Sequence, residues 1–372
     1  MEKLSLDKAL IRAKSHINKN EISEAKKLYQ AVLLAFPQNI IARQGLATLS
    51  NQRQDNIIQT PFEEALKELL NLYNRGQLAS VVEQAQILIK QYPQAFIIWN
   101  FLGAANKGLG QVEKASEAFK KVTELNPNYA DGFNNLGVTF KDQRKFDEAI
   151  EAYKKALLLK PNYAEVYNNI GSVLKEKGNV EMAIEAYNKA LSLKPDYADA
   201  HYNLSLVFFL AGRIKEGLDK YEWRFKLDGL QFDTFKSGVR YFSHPMWDGK
   251  ASLSNKRILI WCEQGIGDTM NWSSCLSLVS SKAKHCILEC QEKLVPLLKR
   301  SFPNVDVKPV DRSLDSERDD FDLHLPMGSL YKHFIDDVLD NKKSEAYLVP
   351  EPGRVTFWKE RLRSVGKGPY IG

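Results

Sequence analysis

Proline returns every 34 residues through the middle of this chain, at Pro93, Pro127, Pro161 and Pro195. The same interval separates Gly103, Gly137 and Gly171, with Ser205 in the fourth place, and Leu102, Leu136, Ile170 and Leu204. Two aromatic-rich series keep step with them: Trp99, Phe133, Tyr167 and His201, then Phe119, Tyr153, Tyr187 and Tyr221. A fixed period of this length means that one small structural unit is copied along the chain. Its apolar stripe is buried only when neighbouring copies stack.

The interval is that of the tetratricopeptide repeat, in which each unit is a pair of antiparallel helices. Glycine on the first helix lets the second approach closely, and the aromatic of the second fills the gap between neighbouring pairs. Proline then ends the second helix, because it lacks a backbone donor and clashes with the preceding turn. A weaker unit at 4–37 keeps Ala25, Tyr29 and Pro37 at matching offsets, and residues 60–93 keep Gly76 and Pro93. Six units are therefore expected, two of them degenerate. The predicted organisation is a degenerate unit at 1–50, a linker at 51–62 marked by the polar stretch SNQRQDNIIQT, and an array at 63–227.

Asn135, Asn169 and Asn203 share one position in three successive units. A carboxamide carries donor and acceptor together and pairs with any peptide unit, whatever its side chain. Here the chain resembles the superhelix of O-linked N-acetylglucosamine transferases, whose asparagine ladder binds the backbone of a polypeptide. The competing reading is a polar repeat residue with no ligand. Phe101 interrupts the series on its N-terminal side, so any ladder is short. Gripping a terminal carboxylate needs basic groups, and these asparagine positions carry none, which disfavours capture of a chain end.

Beyond Tyr221 the period stops, and residues 228–256 form an aromatic connector. From Arg257 strands and helices alternate: RILIWC, a helix from Thr269, HCILEC, QEKLVPLLKRSF, VDVKPV, FDLHLPM and a helix near Ser329. Such alternation predicts a parallel sheet over 257–352, with 353–372 as an interdomain helix leading into a further strand at PYIG.

The turn CEQGIGDTM follows the first strand. A dinucleotide fingerprint needs G-x-G-x-x-G, but its third glycine is replaced by Met270, even though Glu289 lies near the place of a ribose-binding acid. The alternative is an open turn made by Gly265 and Gly267, with Asp268 at the carboxyl end of the strand, where open sheets of this class bind ligands. With YEWRF, HPMWDGK, LIWCEQGIGDTM, FDLHLP and AYLVP in that order, the chain resembles bacterial tetratricopeptide-repeat proteins carrying a heptosyltransferase-like (family 9-like) glycosyltransferase domain.

The resemblance implies a tetratricopeptide α superhelix followed by an α/β Rossmann-like domain, the N-terminal half of a B-type glycosyltransferase fold. It implies that Asp268 is the base that takes the acceptor hydroxyl proton, with Glu263 and His324 as further candidates. Against these stand an N-cap role for Asp268, a capping or interdomain salt-bridge role for Glu263, and a core role for His324. It also implies a nucleotide sugar as donor, a polypeptide or glycan acceptor on the repeats, and no metal or tightly bound cofactor. The donor-binding half is expected beyond PYIG, so the chain reads as an inactive fragment of a longer enzyme; the alternative is a non-enzymatic scaffold for protein–protein interaction.

Composition adds exclusions. The net charge of +6 is spread along the sequence, with no nucleic-acid motif beside it. No apolar run suits a signal peptide or membrane span, and a cytoplasmic location is expected. The four cysteines lack a second pair at zinc spacing and read as buried thiols, with Cys286, Leu288 and Cys290 on one strand face.

Overall fold

The computed structural model describes residues 6–18, 21–36, 39, 41–43, 45–46, 61–227, 240, 242–311, 317–340 and 346–366. Pro37, the linker through Thr60, most of the connector at 228–241 and the PYIG terminus lie outside them. The chain divides into two compact units, Met1–Pro127 and Asn128–Gly372.

The first unit contains helices α1 (Leu6–Asn18), α2 (Ile22–Ala35), α3 (Pro61–Asn74), α4 (Leu78–Gln91), α5 (Phe96–Gly108) and α6 (Val112–Leu125). Pro61 opens α3 with its φ already helical, and Glu63 and Glu64 meet the positive end of the helix dipole. In α5 a Cβ at Gly103 would lie 2.7 Å from the ring of Phe119 in α6, so only glycine admits that ring. The degenerate first pair uses Ala13 at the equivalent place, sixteen residues before Tyr29, and buries both.

The second unit begins with three further pairs: α7 (Ala130–Asp142) with α8 (Phe146–Leu159), α9 (Ala164–Glu176) with α10 (Val180–Leu193), and α11 (Ala198–Leu210) with the short α12 (Ile214–Tyr221). A Cβ at Gly137 would come within 2.5 Å of the Tyr153 ring, and one at Gly171 within 2.8 Å of Tyr187. Tyr153 also shares a core with Val166 and Val173 of the next pair. The ring thus spans both its own pair and the gap to its neighbour, as the period predicts. Helices α8 and α10 end two residues before Pro161 and Pro195.

After α12 a 3₁₀ turn (Glu222–Lys226) leads towards a four-stranded, wholly parallel sheet in the order β3-β2-β1-β4. Its strands are β1 (Arg257–Trp261), β2 (His285–Cys290), β3 (Asp306–Pro309) and β4 (Leu323–Pro326). Between them lie α13 (Ile266–Trp272), α14 (Leu276–Lys282) and α15 (Val295–Ser301), and after them α16 (Leu330–Asp340) and α17 (Pro352–Val365). Alternation sorts the strand side chains: Ile258, Ile260, Cys286, Leu288 and Cys290 join the helices on one face. Leu259, Trp261 and Ile287 pack with Phe321, Phe225 and Phe242 on the other. All four cysteines are buried free thiols. Among the described residues no helix is long and apolar enough to cross a membrane, and no cluster of His, Cys, Asp and Glu is arranged to hold a metal.

Candidate functional site

Two places carry the residues singled out by the sequence: the asparagine face of the repeats and the carboxyl edge of the sheet. On the first, Asn169 Nδ2 donates to Asn134 Oδ1 at 2.9 Å, and Asn203 Nδ2 donates to Asn168 Oδ1 at 3.1 Å. Asn169 and Asn203 each therefore bond the first member of the preceding Asn-Asn pair, linking α7 to α9 and α9 to α11. One N–H has been used at Asn169 and at Asn203, which leaves the second N–H and the carbonyl of each carboxamide for another partner. Asn135 is also bonded rather than free.

Asn168, Asn169 and Asn203 line a cavity of about 490 Å³. Its rim contains Lys141, Arg144 and Lys175 together with Asp142, Glu176, Phe146 and Ser172. The absence of charge at the asparagine positions themselves thus did not predict the charge around them. The basic groups come from the ends of α7 and α9 and from the α7–α8 turn. Asn135 is not among the lining residues.

At the sheet edge, Gly265 is the N-cap of α13 in extended conformation, so the helix starts at Ile266 rather than Thr269. Asp268 occupies the third helical position, not the cap, and is exposed. Neither Gly265 nor Gly267 has positive φ, and a Cβ on Gly267 would meet nothing within 4 Å. The turn is held by the residue that follows β2, because Gln291 donates to the Gln264 carbonyl at 2.7 Å and accepts from Thr269 Oγ1 at 3.1 Å.

Glu263 takes the salt-bridge and capping role. Its carboxylate is buried, accepts from Arg224 Nη2 at 2.9 Å and from the Gly328 amide at 3.1 Å, and sits where a Cβ on residue 328 would fall within 2.5 Å of it. Burial pushes its pKa up, and Arg224 opposes that shift only in part. Arg224 is fully enclosed and also donates to Ser329 Oγ at 2.8 Å, to Glu222 at 2.7 Å and to the Tyr221 carbonyl at 3.2 Å. Ser329 in turn donates to Glu222 at 2.8 Å, and Gln264 donates to the Tyr221 hydroxyl. Lys215–Asp336 and Lys332–Asp219 pairs, at 2.5 and 3.3 Å, add exposed links between α12 and α16.

The carboxyl ends of β1 and β4, where the strand order reverses, are thus occupied by the end of the repeat array. YEWRF, CEQG and the residues after LHLP converge to form this junction. Its signal in the sequence was charge inside otherwise apolar segments.

His324 is a core residue. Its Nδ1 accepts from Trp261 Nε1 at 3.2 Å, and the ring contacts Phe242. Burial, then the Arg240 charge, hold its pKa down at about 4, against a backbone hydrogen bond with His244. Glu289 is likewise committed, to Arg240 at 2.6 Å and to Arg318. Asp268 alone of the three predicted catalytic groups is open to a ligand, and the cluster Asp268, Glu263 and His324 does not act as one constellation.

Tetratricopeptide-repeat family models match residues 103–144 and 171–212, 130–163 and 152–185. Residues 103–212 are tetratricopeptide repeats. The chain is 30% identical over 141 residues to Protein FlbA of Caulobacter vibrioides, a match covering 34% of this chain and 23% of FlbA. It therefore spans under a quarter of that relative. Among solved structures, MamA is 24% identical, with a TM-score of 0.39 over 42% of this chain and 91% of MamA. MamA 41-end from Desulfovibrio magneticus RS-1 gives 19% identity and a TM-score of 0.41 over 45% of this chain and 96% of that one. YrrB, described as a TPR protein with an unusual peptide-binding site, gives 16% and 0.37 over 45% of this chain and 86% of its own.

Proposed function

We propose that this chain is a protein–protein interaction scaffold whose repeats hold an extended polypeptide along the asparagine face, with the parallel-sheet module clamped to the end of the array. The observation that carries the reading is the 490 Å³ cavity lined by carboxamides from successive units. Carboxamides spaced by the repeat and holding unused N–H and C=O groups suit a ligand whose own donors and acceptors recur, which is a peptide backbone. The test is titration of the purified protein with an extended, uncharged, end-blocked peptide. Replacing Asn169 and Asn203 by alanine is expected to weaken binding by about tenfold or more while the helical content is kept and stability falls by no more than the about 1–3 kcal/mol each that a lost inter-repeat hydrogen bond costs. Equal affinities would refute the groove assignment.

A second reading draws support from one feature of the sheet edge. Exposed Asp268 stands beside glycines that the backbone does not require, and a small residue with open space around it suits close approach of a ligand. On this reading the module is the Rossmann-like acceptor half of a B-type glycosyltransferase, Asp268 is its base, and a polypeptide or glycan acceptor meets a nucleotide sugar held by a donor half. In a version of the protein containing such a half, Asp268→Asn is expected to lower transfer by about 10²- to 10⁴-fold. Unchanged transfer would retire the catalytic role. Glu263 and His324 do not enter it, since their polar atoms are already engaged.

A further inference from the structure

The turns between paired helices repeat a left-handed residue. Gly76, Gly110, Gly178 and Gly212 have φ of 70°, 74°, 77° and 71°, and the member of the series at position 144 is an arginine with φ of 59°. A side chain at such a φ is strained and persists only where the surroundings enforce it. They do: Arg144 N donates to the Lys141 carbonyl at 2.8 Å and Lys145 N to the Phe140 carbonyl at 2.8 Å, the same pair of bonds that closes the turn at Gly178. The chain thus keeps, at one of the five such turns among the described residues, a residue less suited to the backbone than the glycine found at the other four. That residue borders the carboxamide cavity, with its guanidinium 5.4 Å from the centre of the Phe146 ring.

Strain held at a cavity points to use of the side chain there. Lys141 and Lys175 stand on the same rim, and none of the three cations is ion-paired among the described residues. Asp142 and Glu176 face the same space, so the rim holds three positive and two negative groups. We infer that this rim selects a polypeptide bearing acidic side chains, with Arg144 as the principal contact to a carboxylate. A guanidinium matches a carboxylate with two parallel donors, and beside an aromatic ring it is partly ordered before the ligand arrives. The inference rests on the groove reading above: the carboxamides hold the backbone and Arg144 reads the side chain.

Fluorescence anisotropy with the full chain separates the two. The probes are labelled 12-residue peptides of alternating alanine and glutamate with blocked ends, the alanine–glutamine counterpart with blocked ends, and that counterpart with a free carboxyl terminus. The blocked glutamate peptide is expected to bind about tenfold tighter than the blocked glutamine one at low ionic strength, with the gap shrinking as salt is added. Arg144→Gly, the residue of the sister turns, is expected to bring the two affinities within about threefold while raising the melting temperature, a combination that a purely structural arginine does not give. An unchanged glutamate preference in Arg144→Gly would overturn the proposal. So would a preference shown only by the free carboxyl terminus, which assigns the rim to chain ends instead. Binding of the glutamine peptide, and its loss with Asn169 and Asn203, reports on the groove alone; if no peptide binds, the groove reading falls and this one with it.

Discussion

Arg224→Met isolates the energetics of the junction between the last repeat and the sheet. The side chain is entirely enclosed and makes bonds of 2.7 to 3.2 Å to Glu222, Ser329, Glu263 and the Tyr221 carbonyl. Removing it leaves the Glu263 carboxylate buried with no cationic partner among the described residues, held by backbone amides of Gly328 and of Glu263 itself. Loss of one partner of a buried pair costs about 3–5 kcal/mol, whereas replacing both by apolar groups of similar volume is near neutral. Urea unfolding at pH 8, followed by tryptophan fluorescence, is therefore expected to show a loss of about 3–5 kcal/mol for Arg224→Met and a much smaller one for Arg224→Met with Glu263→Met. The sign of the pH dependence follows from burial raising the Glu263 pKa, a shift that grows without Arg224. A raised folded pKa favours the protonated form, so that contribution is present below the unfolded value of about 4.3 and is lost as pH rises through the folded pKa. The deficit of Arg224→Met is consequently larger at pH 8 than at pH 5.5. A loss below about 1 kcal/mol, the same at both pH values, would refute the reasoning.

Gly137→Ala is expected to destabilise the repeats by about 1–3 kcal/mol, because its Cβ would lie 2.5 Å from the Tyr153 ring; recovery of melting temperature in Gly137→Ala with Tyr153→Leu would assign the cost to that contact. His324, with its pKa held at about 4, binds its proton less readily folded than unfolded. The stability this supplies is present above about pH 6.5 and declines as pH falls towards 4, by about 2 kcal/mol between pH 7.5 and 5; a parallel loss in His324→Gln would show that another group is responsible. Burial pushes the thiols of Cys275, Cys286 and Cys290 up to about 12 and that of Cys262 well above the ordinary value. Thiol titration with an aromatic disulfide at pH 8 is thus expected to give no fast phase until denaturant is added, and rapid labelling would contradict their burial.

Periodicity made the repeats legible because each signature residue does the same local job in every copy: glycine under a ring, an aromatic between pairs, proline after a helix. The parallel sheet was legible from alternating apolar runs, and its two faces from the side-chain period of two. Arg144 was hidden for a different reason. The glycine series at 76, 110, 178 and 212 is as regular as the proline series, but its meaning depends on a backbone φ that residue type suggests only indirectly. The edge of the sheet was harder still. Glu263 and Arg224 are 39 residues apart and Arg224 and Ser329 are 105 apart, and no local rule joins them. Asp268 shows the limit of reading a cap from composition: aspartate is a good N-cap, yet Gly265 takes that place because the preceding turn is pinned by Gln291.

The central claim is that the carboxamide cavity between α7, α9 and α11 receives a polypeptide. Hydrogen exchange by mass spectrometry, with and without a saturating end-blocked peptide of alternating alanine and glutamate, tests it most directly. The account predicts slowed exchange at the ends of α7 and α9, around Arg144 and along α11, with little change at Gly265–Asp268. Protection confined to the turn after β1, with the repeat helices exchanging as before, would contradict it.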